Sequence, residues 1–485
     1  MISWLAASFL VVGFVILYKL FALVEKSRRV FTITLQSLGI IQNSGLSDEE
    51  KERSLQKNAT RMFSLFFQLL FGGVVALVIP IVLVWLAGRA GLLSFDSVMT
   101  VTFSPTFLVG SCALVICILC LMPRSQEHST TKYTKLERIS HQLAFNTSLT
   151  QVAISRLEDK LLAKKLFSIR NDNPVFITSM PRAGTTLLLE CLARHPEFAS
   201  HCYRDMPFLL IPWLWNRFTG IFRKGSDSHE RAHGDGMLIN FDSPEALEEL
   251  IWKTFWHEKY QEDRILLWEE ETHEEFENFF LNHIRKIIYL RKEQEVGVVR
   301  YVSKNNLNIS RIPLLHKLFT DPIILVPFRD PLQHSASLLA QHHNFLNIHK
   351  KDPFVSEYMK AIGHFDFGEN LRPVDFNGWL NKRESQDPLS LAFWLEYWNA
   401  CYDWLLNECS ELVHFIHYEA LCAHPESSFL ALAKTLETTD TATILEISKD
   451  VRPVRSREVD ANEVPDAILQ KSLILYAELQ RRSSV

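Results

Sequence analysis

The chain has 485 residues, of which 47% are hydrophobic and 22% are charged, and its formal net charge is −5. This length exceeds that of one ordinary domain, and the apolar share indicates a water-soluble part joined to a much more apolar one. Because the net charge is slightly negative, the composition argues against nucleic acid as a partner.

Three long apolar stretches lie near the start of the chain, at about 3–23, 62–87 and 101–122. Each is long enough to cross a bilayer, which takes roughly 20 residues in a helix. A cleaved signal peptide is the alternative for the first stretch, but no basic segment precedes it and Lys19 lies late in it. The sequence therefore predicts a membrane region over 1–123 with three transmembrane helices, and the lipid bilayer as a partner.

The loops between these stretches differ in basic charge. The segment 24–61 carries seven Lys and Arg residues, whereas 88–100 carries only Arg89. Basic loops stay in the cytoplasm, so the N-terminus is predicted outside and everything after Pro123 inside. We therefore expect a multi-pass protein, in a bacterial inner membrane, with a helical linker at 124–172 and a catalytic domain in the cytoplasm.

The next marked segment reads as a strand, a turn and a helix, from Val175 to Leu192 (VFITSMPRAGTTLLLECL). The turn and the start of the helix, Pro181 to Thr186, are called the first loop below. Free backbone N–H groups at a helix N-terminus bind phosphate, and Arg182 adds a planar set of donors suited to phosphate or sulfate oxygens. A glycine turn between a core strand and a core helix is the structural alternative.

A second strand and helix follow much later, from Ile323 to Leu339 (IILVPFRDPLQHSASLL). Arg329, Asp330 and Pro331, called the second loop below, stand directly after the strand. Ser337 comes eight residues after Arg329. Two strand-to-helix units are thus each marked by an arginine at the carboxyl end of the strand.

With PRAGTT in the first loop and R-D-P-x-x-x-x-x-S in the second, the chain resembles the sulfotransferase family, which uses 3′-phosphoadenosine-5′-phosphosulfate (PAPS) as sulfuryl donor. The resemblance covers about residues 130–460. No metal cofactor is expected, because sulfuryl transfer from a good leaving group needs none and the spacing of His, Asp and Glu around His233 matches no zinc site. In that family the second loop holds the 3′-phosphate, which maps onto Arg329 and Ser337. The first loop holds the 5′-phosphosulfate, and it corresponds here to Arg182, Ala183, Gly184, Thr185 and Thr186.

The resemblance also implies a fold. The fold is α/β, a P-loop-like sulfotransferase fold with a central parallel sheet flanked by helices, over 173–485, with a helical insertion at about 340–400. The membrane anchor favours a hydroxyl or amine of a carbohydrate or glycolipid as acceptor.

Two alternative functions remain. One is a P-loop nucleotide kinase or NTPase, which is disfavoured because the first loop lacks the Walker A order of residues. The other is a non-catalytic membrane scaffold that keeps a relic nucleotide fold.

Four residues are candidates for the chemistry of transfer. Arg182 would offset the charge that grows on the leaving group, and Lys304 could act as a movable charge or acid. Asp205 is the predicted general base, since it follows the first helix where related enzymes place a carboxylate; an ion pair with Arg204 or a helix cap is its structural alternative. His233, in a loop with Gly234, Asp235 and Gly236, is the second candidate base.

Overall fold

The structure is a computed structural model that describes residues 2–21, 48–102, 147–170, 172–220, 243–269, 271–293, 297–383, 387–438, 440–454 and 464–485, with short pieces and single positions between them. Contacts within the chain group it into two compact units, Met1–Ser129 and Thr130–Val485.

The first unit is helical where it is described. It contains α1 (Ile2–Leu20), α2 (Asp48–Arg89) and α3 (Phe95–Thr102). Helix α1 packs closely on α2, since a side-chain carbon at Gly13 would lie 3.1 Å from Pro80 Cγ. A small core of Ala7, Val84 and Val98 lies between the helices.

Helix α2 carries an exposed apolar surface from Phe63 onward. Phe63, Phe66, Phe71 and Leu77 are each more than half exposed. Within the described residues, the segment Ser54–Arg89 is the one helix that is long and apolar enough to cross a membrane, by length and composition alone. It contains the second predicted span, whereas most of the third, 101–122, lies outside the described residues. Three spans are therefore not confirmed.

The second unit is built on a parallel sheet. Its strands are β1 (Val175–Ile177), β2 (Phe198–Ala199), β5 (Arg300–Lys304), β6 (Ile323–Phe328) and β7 (His414–His417), in the order β2-β5-β1-β6-β7. Every pairing in this sheet is parallel. A separate antiparallel pair joins β3 (His229–Glu230) and β4 (Leu238–Ile239).

Helices surround the sheet. In chain order they are α4 (Ser148–Phe167), α5 (Thr185–Ala193), α6 (Pro212–Gly220), α7 (Glu249–Phe255), α8 (Glu274–Lys292), α9 (Ile312–Leu318), α10 (Pro331–Lys351), α11 (Pro353–Ile362), α12 (Trp379–Lys382), α13 (Leu391–Glu408), α14 (Tyr418–Ala423), α15 (Pro425–Thr435), α16 (Thr441–Ser448) and α17 (Asp466–Arg482). Short 3-10 turns lie at Tyr203–Asp205, His257–Lys259, Asn306–Arg311, Gly368–Asn370 and Phe376–Gly378.

The strand residues alternate between two hydrophobic clusters, one on each face of the sheet. Phe176 and Ile324 belong to the larger cluster, whereas Val175, Ile177 and Leu325 belong to the smaller one. A sheet buried on both faces requires near-continuous apolar strands, and β6 (IILVPF) is buried at every position. The predicted α/β fold, with a parallel sheet flanked by helices, is confirmed.

Strand order also determines where a ligand can bind. The chain leaves β1 toward β2 on one side of the sheet and leaves β6 toward β7 on the other. Between such strands the connecting loops diverge and open a crevice at the carboxyl ends, where α/β proteins bind ligands. Both loops that the sequence singles out follow these two strands.

Candidate active site

The first and second loops are in contact. Strands β1 and β6 are hydrogen-bonded neighbours, with Val175 opposite Ile323, so both loops emerge at one edge of the sheet. Arg329 donates through Nη1 to the carbonyl oxygen of Arg182 at 3.1 Å, and Arg182 Nε lies 3.5 Å from Ser337 Oγ. The fold thus brings together three residues that the sequence marked as donor-binding.

A buried histidine supports the turn of the first loop. His334 Nε2 lies 2.7 Å from the carbonyl oxygen of Pro181 and donates to it. Burial, together with nearby Arg329, lowers the pKa of His334 to about 3, so the ring is neutral and adds no charge to the crevice.

The backbone of the first loop adopts left-handed conformations at two positions. Arg182 has φ +69° and Gly184 has φ +101°. Glycine is required at 184 for a second reason, because a Cβ there would lie 2.3 Å from Cδ2 of Tyr418. The turn delivers the chain into α5, whose first residues are Thr185 and Thr186. The helix N-terminus therefore opens at the crevice, as an anion site requires.

Arg329 is held in an orientation suited to an anion. Its guanidinium lies 5.0 Å from the ring centre of Tyr418, and its Nε is 3.6 Å from Glu419 Oε1, too far for a hydrogen bond. Among the atoms of the described chain, none accepts a hydrogen bond from this buried Nε. A buried donor without an acceptor is costly, so the residues present fit a phosphate group.

Polar side chains extend from the first loop along the end of β5. Lys304 is the last residue of β5 and lies opposite Ile177 of β1. The hydroxyl of Thr185 lies 3.3 Å from Oδ1 of Asn306, and Nδ2 of Asn306 donates to Asp366 at 3.1 Å. The sequence interpretation missed both Asn306 and Asp366. The pair of asparagines directly after a buried strand could have indicated Asn306.

Asp205 lies in a closed setting. It is 0% exposed and forms an ion pair with Arg291 at 2.5 Å. Its two oxygens also accept from the backbone N–H of Cys202 and from Nδ2 of Asn216, each at 2.9 Å. Burial alone would raise its pKa, but these partners, with His201, bring the pKa below its ordinary value. The geometry favours the structural alternative for Asp205, with Arg291 as the ion-pair partner.

One further sequence candidate lies outside the described residues. His233, the second candidate base, falls in the segment 231–237. The prediction of no metal stays a prediction; in the described part of the chain, no group of three or more His, Cys, Asp or Glu side chains is arranged to hold an ion.

Residues 174–365 match the sulfotransferase family. This part of the chain belongs to that family. The sequence resemblance is thereby confirmed, and both loops lie inside the matched segment. No curated protein matches the chain.

Solved structures that match the chain include sulfotransferases. STF9 from Mycobacterium avium is 14% identical, with a TM-score of 0.41 over 73% of this chain and 87% of that one. STF1 from Mycobacterium tuberculosis H37Rv is 11% identical, with a TM-score of 0.35 over 61% and 75%. The sulfotransferase domain from the curacin biosynthetic pathway is 13% identical, with a TM-score of 0.28 over 64% and 98%.

Proposed function

We propose that this protein is a membrane-anchored, PAPS-dependent sulfotransferase whose acceptor is a hydroxyl or amine of a carbohydrate or glycolipid. The observation that carries the proposal is the meeting of the two loops, in which Arg329 contacts the Arg182 carbonyl and Arg182 reaches Ser337. Arg182 and Ser337, which are 155 positions apart in the sequence, thus supply one crevice with a cationic group and a hydroxyl group.

Each loop has its own role toward the donor. Arg182, Thr185, Thr186 and the backbone N–H groups at Ala183 and Gly184 would hold the 5′-phosphosulfate, since free N–H groups and a cation converge there. Arg329 and Ser337 would hold the 3′-phosphate, because the unused Nε of Arg329 is a donor for which an anionic oxygen is the natural acceptor.

PAPS supplies the sulfuryl group when bound. The protein contributes positioning and electrostatic stabilisation, as in phosphoryl transfer. Arg182 cannot give up its proton, so it can offset the charge on the leaving oxygen but cannot protonate it. Lys304, at the end of the strand beside β1, is the candidate for that proton or for a movable charge.

The anchor and its orientation belong to the same proposal. The apolar surface of α2 supports a bilayer as partner, and the basic loop 24–61 supports a catalytic unit on the cytoplasmic side of a bacterial inner membrane. A membrane-held enzyme reaches acceptors that are themselves held in the membrane, which favours lipid-linked carbohydrate.

The test uses the full chain in detergent. Calorimetric binding of adenosine 3′,5′-bisphosphate (PAP), without Mg²⁺, is expected to be tighter than binding of ATP with Mg²⁺. Sulfur-35 from labelled PAPS is expected to enter lipid or polysaccharide extracts only when the protein is present. Tighter Mg²⁺–ATP binding would favour a P-loop kinase or NTPase, and failure to bind either nucleotide would favour a non-catalytic scaffold.

A further inference from the structure

A row of polar contacts runs from the first loop to a histidine outside both loops. Thr185 contacts Asn306, and Asn306 donates to Asp366 Oδ2 at 3.1 Å. The same Asp366 oxygen lies 3.7 Å from Nε2 of His364. His364 therefore lies next to the crevice, one carboxylate and one amide away from the N-terminus of α5.

The surroundings of His364 hold its ring without closing it off. The ring stacks on Phe345, with centres 5.4 Å apart and planes at 27°. The His364 side chain is 20% exposed, and that of Asp366 is 12% exposed. Asp205, in contrast, is 0% exposed and already accepts hydrogen bonds at both oxygens. Of these two groups, only His364 combines access to solvent with a place beside the first loop.

We propose, building on the sulfotransferase function above, that His364 is the general base of the reaction and Asp366 is its positioning residue. The acceptor O–H bond breaks and its proton passes to an imidazole nitrogen of His364. The acceptor oxygen forms the new bond to sulfur while the bond from sulfur to the phosphate oxygen breaks. PAP leaves with that bond's electron pair, so charge and atoms balance without any further reactant.

The charges around the ring suit this role. Burial lowers the pKa of His364 below its ordinary value, and Lys304 lowers it further, whereas Asp366 and Glu245 raise it. His349, on α10, also interacts electrostatically with His364, and burial lowers the pKa of His349. The imidazole is therefore neutral near pH 7 and able to accept a proton, and Asp366 stabilises the imidazolium that forms.

Three variants separate the roles. His364→Gln is expected to lower sulfur-35 transfer from PAPS into a total lipid extract by about 10²- to 10⁴-fold, the usual contribution of a general base, with PAP affinity unchanged. His343→Gln, on the exposed side of α10, is the matched control and should keep full transfer. Asp366→Asn should lower transfer less than His364→Gln does.

A second readout does not depend on turnover. Diethyl pyrocarbonate modifies neutral imidazole, so the pH dependence of modification at His364, followed by mass spectrometry, gives its pKa. Because Asp366 raises that pKa, Asp366→Asn is expected to move the midpoint to lower pH, and the rising limb of transfer against pH should move with it.

The outcomes distinguish this inference from the proposed function. If PAP binds to the unmodified chain but His364→Gln keeps full transfer, the role of His364 is refuted and the sulfotransferase function stands. If His364 resists modification until the protein unfolds, the ring does not face the crevice and the inference is likewise refuted. If the unmodified chain does not bind PAP, the proposed function itself fails.

Discussion

Arg329 is the residue whose surroundings say most about the ligand. Its Nη1 is used to support the first loop, while its buried Nε has no acceptor among the described atoms. Ser337 lies beside Arg182 and is 7% exposed. One arginine thus performs two tasks, since it fixes the backbone at Arg182 and leaves a donor for an anion.

Replacing Arg329 or Ser337 should weaken the binding of a nucleotide with a 3′-phosphate more than the binding of one without it. Arg329→Ala and Ser337→Ala are each expected to weaken PAP by about 10- to 150-fold, because a charge-assisted hydrogen bond contributes about 1.5–3 kcal/mol. The affinity for adenosine 5′-phosphate should fall much less, since this nucleotide lacks the 3′-phosphate. Calorimetry with both nucleotides measures the difference, with Arg452→Ala and Ser427→Ala as exposed controls. Equal losses for the two nucleotides would refute the assignment.

Asp205 gives a prediction about stability. Asp205→Asn leaves Arg291 buried without its partner, which typically costs about 3–5 kcal/mol, so a clearly lower melting temperature is expected with PAP affinity unchanged. The exposed pair Arg194–Asp450 supplies the control, because losing a surface ion pair costs at most about 1 kcal/mol. A variant Asp205→Asn that melts normally but has lost transfer would restore Asp205 as the base.

The Asp205 carboxylate also makes the stability of the fold depend on pH. The pKa of Asp205 is lower in the folded chain than in the unfolded one. The ionised Asp205 therefore stabilises the fold when the pH is above its pKa in the unfolded chain, about 3.9. This stabilisation disappears as the pH falls through its pKa in the folded chain. The difference in melting temperature between the unmodified chain and Asp205→Asn should shrink in strong acid.

At the scale of elements, the turn between β1 and α5 combines backbone strain with a close contact. Gly184→Ala would place a methyl group 2.3 Å from Tyr418 Cδ2 in addition to the cost of a left-handed residue, about 1–2 kcal/mol. Gly297→Ala has nearly the same φ, +106°, but its Cβ would meet nothing nearer than 3.8 Å. We expect both variants to lose stability and only Gly184→Ala to lose PAP affinity, measured by calorimetry. Equal PAP affinities in Gly184→Ala and Gly297→Ala would mean that the close approach of residue 184 to Tyr418 does not shape the site.

For the whole molecule, the basic charge of segment 24–61 predicts which side the catalytic unit faces. Protease added to intact spheroplasts should spare residues 123–485, and protease added to inverted vesicles should cut them. Antibodies against the C-terminal unit detect the difference, and a soluble periplasmic protein serves as control for leakage. The opposite pattern would reverse the orientation and place the enzyme away from cytoplasmic PAPS.

Local patterns were the part of the fold that could be predicted. Each loop could be recognised because strand, turn and helix are contiguous in sequence, and parallel pairing of β1 with β6 then brought Arg182 to Ser337. Asp205–Arg291 and Asn306–Asp366 could not be predicted, since each joins segments at least 60 residues apart whose approach depends on helix packing. The burial of Asp205 against Arg291 could not be foreseen for this reason: a loop aspartate looks the same in sequence whether its partner is a substrate or a buried arginine.

The contact between Arg182 and Ser337 also bears on how the protein is made. The ribosome adds about 5–20 residues per second, so the 155 residues between the two positions occupy it for about 8–30 s. Throughout that interval the first loop exists without the serine and the strand that complete its crevice. A nucleotide bound as proposed above therefore cannot assist the early folding of the nascent chain, because its site is complete only once the later strand has left the exit tunnel and paired with β1.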